Sequence, residues 1–255
     1  MGRPRTPADL TAPEPALAVA LDTLGDGAPL VRAPDRANSL TGSVYQQLRA
    51  DLLSGRYKPN EKLRAEDLRQ RFNIGSSPIR EALNRLLAEG FVALEEQKGF
   101  RVAPVSGEEL EELVRARTLI DGAAVTECIK RYEIGWEEGL VLALHRLTRV
   151  ARRTPEAPTF DNPEWERLHR AFHSALVAGC GSRWLMRISE QLFDSAERYR
   201  LLAANDLEPR NELDEHRAIV QDCLDRQPEE AVRLIEAHYA STRETVLNAL
   251  PMAAR

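Results

Sequence analysis

The sequence predicts a mainly α protein in two parts: a small N-terminal unit of helices closed by a β-hairpin, then an antiparallel bundle of six to seven helices. Three observations carry this. Aromatic residues are 5% of the chain while Leu, Ala, Arg and Glu dominate, a balance that favours helix over sheet. Between residues 40 and 103 apolar positions recur first at helical and then at alternating spacing. From Ser106 to Leu250 no convincing strand pattern appears.

Residues 1–38, with prolines at 4, 7, 13, 15, 29 and 34, read as a mobile tail with a short helix near Ala16–Leu24. The string Gly2-Arg3-Pro4-Arg5 is better explained as an ordinary basic terminus than as a minor-groove arm. The ordered N-terminal unit spans 39–105. Val44, Leu48 and Leu52 mark its first helix, and Gly55 sits where a C′ glycine ends it. Leu63, Leu68 and Phe72 mark a second, and Asn73-Ile74-Gly75 a turn. Ser76 or Ser77 then caps a third helix with Pro78 in its first turn and Ile79, Leu83, Leu86 and Leu87 on its apolar face, until Gly90 stops it. Phe91–Glu96 and Gly99–Ala103 follow as two strands around a Gln97-Lys98-Gly99 turn. This order is a winged helix-turn-helix.

Pro104-Val105 is the linker to an all-helical domain over 106–250. Ser106 with Glu109 three residues on is a capping-box pattern. Helices are expected over 107–132, 136–153, 162–179, 182–204, 209–226 and 228–249, broken at Gly135, Thr154–Pro163, Gly179–Gly181, Asn205–Pro209 and Gln227-Pro228.

Composition narrows the classes. No apolar run approaches the ~20 residues of a membrane span. MGRPRTPADL has no apolar stretch behind it, so the expectation is a cytoplasmic protein. Cys128, Cys180 and Cys223 lie in apolar helical contexts and read as buried free thiols. The net charge of −5 is uneven: 39–105 carries 11 basic against 8 acidic residues, and 106–255 carries 20 against 27. A mildly basic unit joined to an acidic one suits a DNA reader fused to a second module.

A helix-turn-helix sets the N-terminal end of its second helix against base edges in the major groove. Here that end holds Ser76, Ser77 and Arg80; Arg64 is placed to touch flanking phosphates, and Lys98 with Gly99 forms a wing tip that reaches the adjacent minor groove.

The stretches SGRYKPNEKL, SSPIREAL, LLAEGFV and GFRVAPV, in that order and spacing, resemble the DNA-binding domain of the GntR family of regulators. The helical domain looks like the FCD type of the FadR-like branch. The resemblance implies a homodimer on an inverted-repeat operator in double-stranded DNA. Many relatives carry Arg at the position of Ser76, so the operator here is expected to differ.

Four of five histidines fall between residues 169 and 238. His169 and His173 are i and i+4 on one helix face; His216 and His238 each sit on the apolar side of their own helix. Several inward imidazoles are costly unless something satisfies them, and a divalent transition metal such as Zn or Ni does so. The resemblance strengthens this, since many FCD domains bind a metal with one Asp and three His; His169 stands where the Asp usually is. His145 reads as surface. Arg170 stands where a zincin needs Glu, and Glu166–His169 is the only Glu-x-x-His motif, so no enzyme is expected.

An open metal position invites a small carboxylate effector. Arg117, in an RTLID string that resembles the FCD R-x-x-L-E element, and Gln191, Ser195, Arg198 and Tyr199 on the fourth bundle helix are the candidate effector residues. Two functions follow: a metabolite-responsive DNA-binding regulator, or a metal-binding sensor or storage bundle whose winged helix mediates protein contacts.

Overall fold

The computed structural model describes residues 40–153, 162–203 and 211–249; the expectations for the N-terminal tail lie outside the described residues. The winged helix-turn-helix is built from α1 (Leu40–Leu53), β1 (Lys62–Leu63), α2 (Ala65–Phe72), α3 (Ser76–Ala88), β2 (Val92–Glu95) and β3 (Gly99–Val102). Its core is the apolar side of these elements: Val44, Leu48 and Leu52 of α1, Leu68 of α2, and Ile79, Leu83 and Leu86 of α3. Burying each such side chain contributes about 1.5–3 kcal/mol.

The sheet order is β1-β3-β2, antiparallel, with Val92 opposite Val102 and Leu94 opposite Phe100. Strand β1 pairs Leu63 with Phe100 and has no counterpart in the sequence reading, because two residues cannot show a period. Val92 and Val102 face the core, while Leu94 is exposed on the wing. Gly99, at φ +85°, makes the tight turn a side chain would strain.

Two local expectations are corrected. Neither Ser76 nor Ser77 caps α3: both lie inside it, and Gly75 is the N-cap without a side-chain bond. Gly135 does not break the chain either. The break falls at Tyr132, in the left-handed region at φ 50°, with the Arg226 guanidinium 3.2 Å from its ring centre. Gly135 lies within the following helix.

The second part holds α4 (Gly107–Arg131), α5 (Ile134–Thr148), α6 (Pro163–Val177), α7 (Arg183–Leu202), α8 (Glu212–Leu224) and α9 (Pro228–Ala249). Helix α4 is the central strut, packed on both α7 and α9, while α5 packs on α6 and α8. Ser106 caps α4 by accepting from the Glu109 amide at 3.1 Å; Asn162 with Pro163 starts α6, and Ser182 starts α7. The bundle has its own core, with Phe172, Leu176, Leu140, Leu147, Ile219 and Ile235 fully enclosed. Cys128, Cys180 and Cys223 are free and buried in it. Gly179 is required where α6 meets α5, since a Cβ there would stand 2.6 Å from the Trp136 ring. No helix among the described residues is long and apolar enough to cross a membrane.

Candidate functional site

The first candidate site is the outer face of the winged helix. Arg64, Ser76, Ser77 and Arg80 are all exposed at the start of α2 and along the first turns of α3. Neither Arg64 nor Arg80 has an ion-pair partner among the described residues. Lys98 stands exposed at the wing tip, 3.6 Å from Glu95, and Gly99 turns the backbone beside it. All six expected residues thus lie on the helix-start and wing surfaces, where groups aimed at base edges and phosphates must be.

The second is a cavity inside the bundle. Helix α6 carries His169 and His173 on its buried side, α8 carries His216, and α9 carries His238; all four rings are buried. The Nε2 atoms of His169 and His173 are 3.1 Å apart. Two imidazole nitrogens on one tetrahedral zinc, at about 2.0–2.1 Å from it, are about 3.4 Å apart. Ligand atoms of His169, His173 and His216 all lie within 4.8 Å of one another. His238, the fourth expected ligand, stands outside that group of three, its ring centre 4.7 Å from that of His216 and 5.6 Å from that of His173.

The donor chemistry fits a cation. Burial, then the neighbouring His173, holds His169 well below the ordinary imidazole range. Burial, then Arg117, does the same for His173. Both rings are therefore neutral, with a lone pair each to donate. The Nδ1 atoms of His169 and His173 are buried with no hydrogen-bond partner among the described residues. Trp165 stacks flat on His169 at 4.6 Å and 12°, fixing its plane.

The cavity between these walls is small, about 50 Å³. Arg117 stands in the wall, tied loosely to Asp121 at 3.6 Å and lying 4.1 Å over the Tyr239 ring. Its Nε has no hydrogen-bond partner among the described residues. Tyr239 in turn donates to Asp121 at 2.6 Å, so the carboxylate is shared. On another wall Arg200 pairs with Glu166 and Glu197. Burial, then the hydrogen bond to Glu197, pushes the Glu166 carboxyl up; the proton it keeps spares Glu197 a second buried negative charge. Arg117, Arg152 and Arg200 around this space are thus set against Asp121, Glu212 and Glu197.

The other candidate effector residues lie elsewhere. Gln191 faces a cleft between α7 and the winged helix. Ser195, Arg198 and Tyr199 border another, between α4, α7 and the end of α3. Arg198 donates to the Ala103 carbonyl, and the Tyr199 hydroxyl donates to Glu109 at 2.5 Å while accepting from the Ser106 amide at 3.3 Å. Arg198 and Tyr199 are thus committed to the linker. His145 is exposed, as the sequence reading has it.

Sequence reasoning misses the bridge between the two sites. Asp194 on α7 pairs with Arg49 of α1 and with Arg170 of α6, the residue after His169. Arg49 also reaches Glu89 at 3.4 Å and lies over Phe91. The neighbour of Asp194, Phe193, packs against His169 and His173 with ring centres 5.9 and 5.2 Å away. Consecutive residues of α7 therefore touch the histidine cavity and the winged helix.

Residues 40–102 match the family described as bacterial regulatory proteins, gntR family, and residues 112–241 match the FCD domain. The chain is 36% identical over 201 residues to the HTH-type transcriptional repressor GlaR of Escherichia coli, covering 76% of this chain and 90% of that one. It is 34% identical over 209 residues to the uncharacterized HTH-type transcriptional regulator BphR of Paraburkholderia xenovorans, covering 82% and 85%. Among solved structures, McbR/YncC of Escherichia coli superposes with a TM-score of 0.65 at 20% identity, over 82% of this chain and 98% of that one. At that identity the likeness speaks for the fold alone.

Proposed function

Because the chain belongs to the GntR family of bacterial regulatory proteins and carries an FCD domain, we propose that it is a dimeric operator-binding regulator whose DNA affinity is set by a small carboxylate bound in its helical domain. The family is one of transcription regulators rather than enzymes, and its members bind DNA. In this reading Ser76, Ser77 and Arg80 read bases or phosphates in the major groove, Arg64 holds the flanking backbone, and Lys98 with Gly99 reaches the minor groove. A two-fold dimer of such units reads an inverted repeat.

His169, His173, His216 and His238 would hold a divalent transition metal, zinc or nickel by their chemistry. A bound ion supplies a Lewis-acid position that draws a carboxylate oxygen. Arg117 offers a second, cationic contact from the wall. Arg198, Tyr199, Ser195 and Gln191 then act beside the effector cavity rather than in it, on the α7 surfaces facing the linker and the winged helix.

The observation that carries the reading is α7 itself. A ligand that reorders the histidine cavity moves Phe193, and the next residue holds the winged helix through Arg49. Coupling of about 1–3 kcal/mol between the sites suffices for 5–150-fold control. The test is binding to the DNA beside the gene. The reading expects tight, salt-dependent binding to an inverted repeat, altered by a carboxylate that a thermal-shift screen of zinc-loaded protein selects. A storage or sensor bundle using its winged helix for protein contacts predicts no such duplex binding.

A further inference from the structure

The His238 ring touches more than the other histidines. Its Nδ1 lies 2.6 Å from Oε2 of Glu215, and the two residues stand on different helices, α9 and α8. Glu215 directly precedes His216, whose fully buried ring groups with His169 and His173. One turn of α8 thus does two things: it sets an imidazole beside His169 and His173 and reaches a carboxylate to the imidazole of α9.

The chemistry of imidazole gives this contact a consequence. Each neutral ring has one N–H and one lone pair, and which nitrogen carries the proton is set by the partner of the other. A carboxylate accepts only, so Glu215 fixes the proton on Nδ1 and leaves Nε2 as the nitrogen with the lone pair. A metal-bound histidine whose other N–H points to a carboxylate is held in orientation and made a stronger donor. The contact matters more here because all four candidate ligands are uncharged. With no anionic ligand in the set, the Glu215 carboxylate behind His238 is a negative charge that a hydrogen bond ties to a candidate ligand.

We propose that Glu215 is a positioning residue for the metal site, holding His238 as a ligand through Nε2 and lending it charge. This rests on the metal reading of the cavity. The plainer account is a structural ion pair between α8 and α9, and the two accounts part on what the substitution changes. A structural pair affects stability; a positioning residue also affects the metal's affinity and electronic spectrum.

The experiment uses the full chain with Zn²⁺ and Co²⁺ as probes. Zinc affinity is measured by competition with a chromophoric chelator for wild type, Glu215→Gln and Glu215→Ala, with Co²⁺ visible absorption recorded on each. Glu215→Gln keeps an acceptor for the Nδ1 proton and loses only the charge, and at a partly exposed side chain it preserves folding, checked by thermal melting. The expected result is a 10–100-fold weaker zinc affinity for Glu215→Ala, an intermediate loss for Glu215→Gln, and altered Co²⁺ bands in both. Wild-type affinity and spectra in both variants would overturn the proposal while leaving the metal site standing. A wild-type protein that binds neither ion overturns the metal reading beneath it.

Discussion

Removing the charge of Asp194 tests whether the winged helix is held to the bundle as the structure has it. Asp194 and Arg49 belong to different parts of the chain, 145 residues apart, and their side chains are 15% and 17% exposed. At an effective dielectric near 20 and about 4 Å, such a pair gains about 4 kcal/mol before costs. Exposed pairs keep about 0–1 kcal/mol of that after desolvation and side-chain ordering, and breaking a fully buried one costs about 3–5. The intermediate burial here places the coupling at about 1–2 kcal/mol. A double-mutant cycle isolates it: wild type, Arg49→Met, Asp194→Asn and the double variant, each unfolded in urea. Arg49 keeps other contacts, to Glu89 and Phe91, and the cycle cancels these. Single effects that add to the double within about 0.5 kcal/mol would refute the idea that this bridge holds the two parts together.

Other expectations follow from the same geometry. Arg80→Ala should weaken operator binding by about 1–3 kcal/mol if the side chain reads a base edge, and an unchanged gel-shift titration at fixed salt removes it from the reading set. Protein reloaded with Zn²⁺ after chelation should carry close to one ion per chain, and His173→Ala should carry none; elemental analysis that finds equal loading in both makes the histidines plain core residues. Burial pushes the Cys128 and Cys223 thiols up to about 12, so at pH 8 nearly all of each is unreactive thiol. Native protein should resist a disulfide reagent that labels these two cysteines at once in denaturant, and rapid native labelling of either contradicts their place in the core.

What the sequence discloses and what it hides separate along physical lines. The winged helix is readable because short-range patterns determine it: the Ile79, Leu83 and Leu86 stripe, the Gly90 stop, and the Gln97–Gly99 turn. The histidine convergence is readable because each ring sits at an apolar spacing on its own helix, so all four must point inward. The helix ends are less so. Gly135 looks like a break, yet the chain turns at Tyr132, where an arginine from past α8 stacks on the ring and no local signal exists. Strand β1 is two residues long and shows no period. The Arg49–Asp194 bridge, the stack of Trp165 on His169 with Arg152 and Arg200 also near its ring, and the Glu215 contact all depend on which helices become neighbours. Arg198 and Tyr199 show the same limit from the other direction. Their spacing puts them on one helix with Phe193, and only the packing reveals that they serve the linker while Phe193 faces the histidines.

The central claim is that the histidine cavity and the DNA-reading face are thermodynamically linked. Isothermal titration of the carboxylate selected by the thermal-shift screen into zinc-loaded protein, with and without operator duplex, measures this directly. Linkage is reciprocal, so the carboxylate's affinity should change on adding operator by the same factor, 5–150-fold, by which the carboxylate changes operator affinity. Equal carboxylate affinities in the two titrations would mean that the helical domain binds its ligand without controlling DNA.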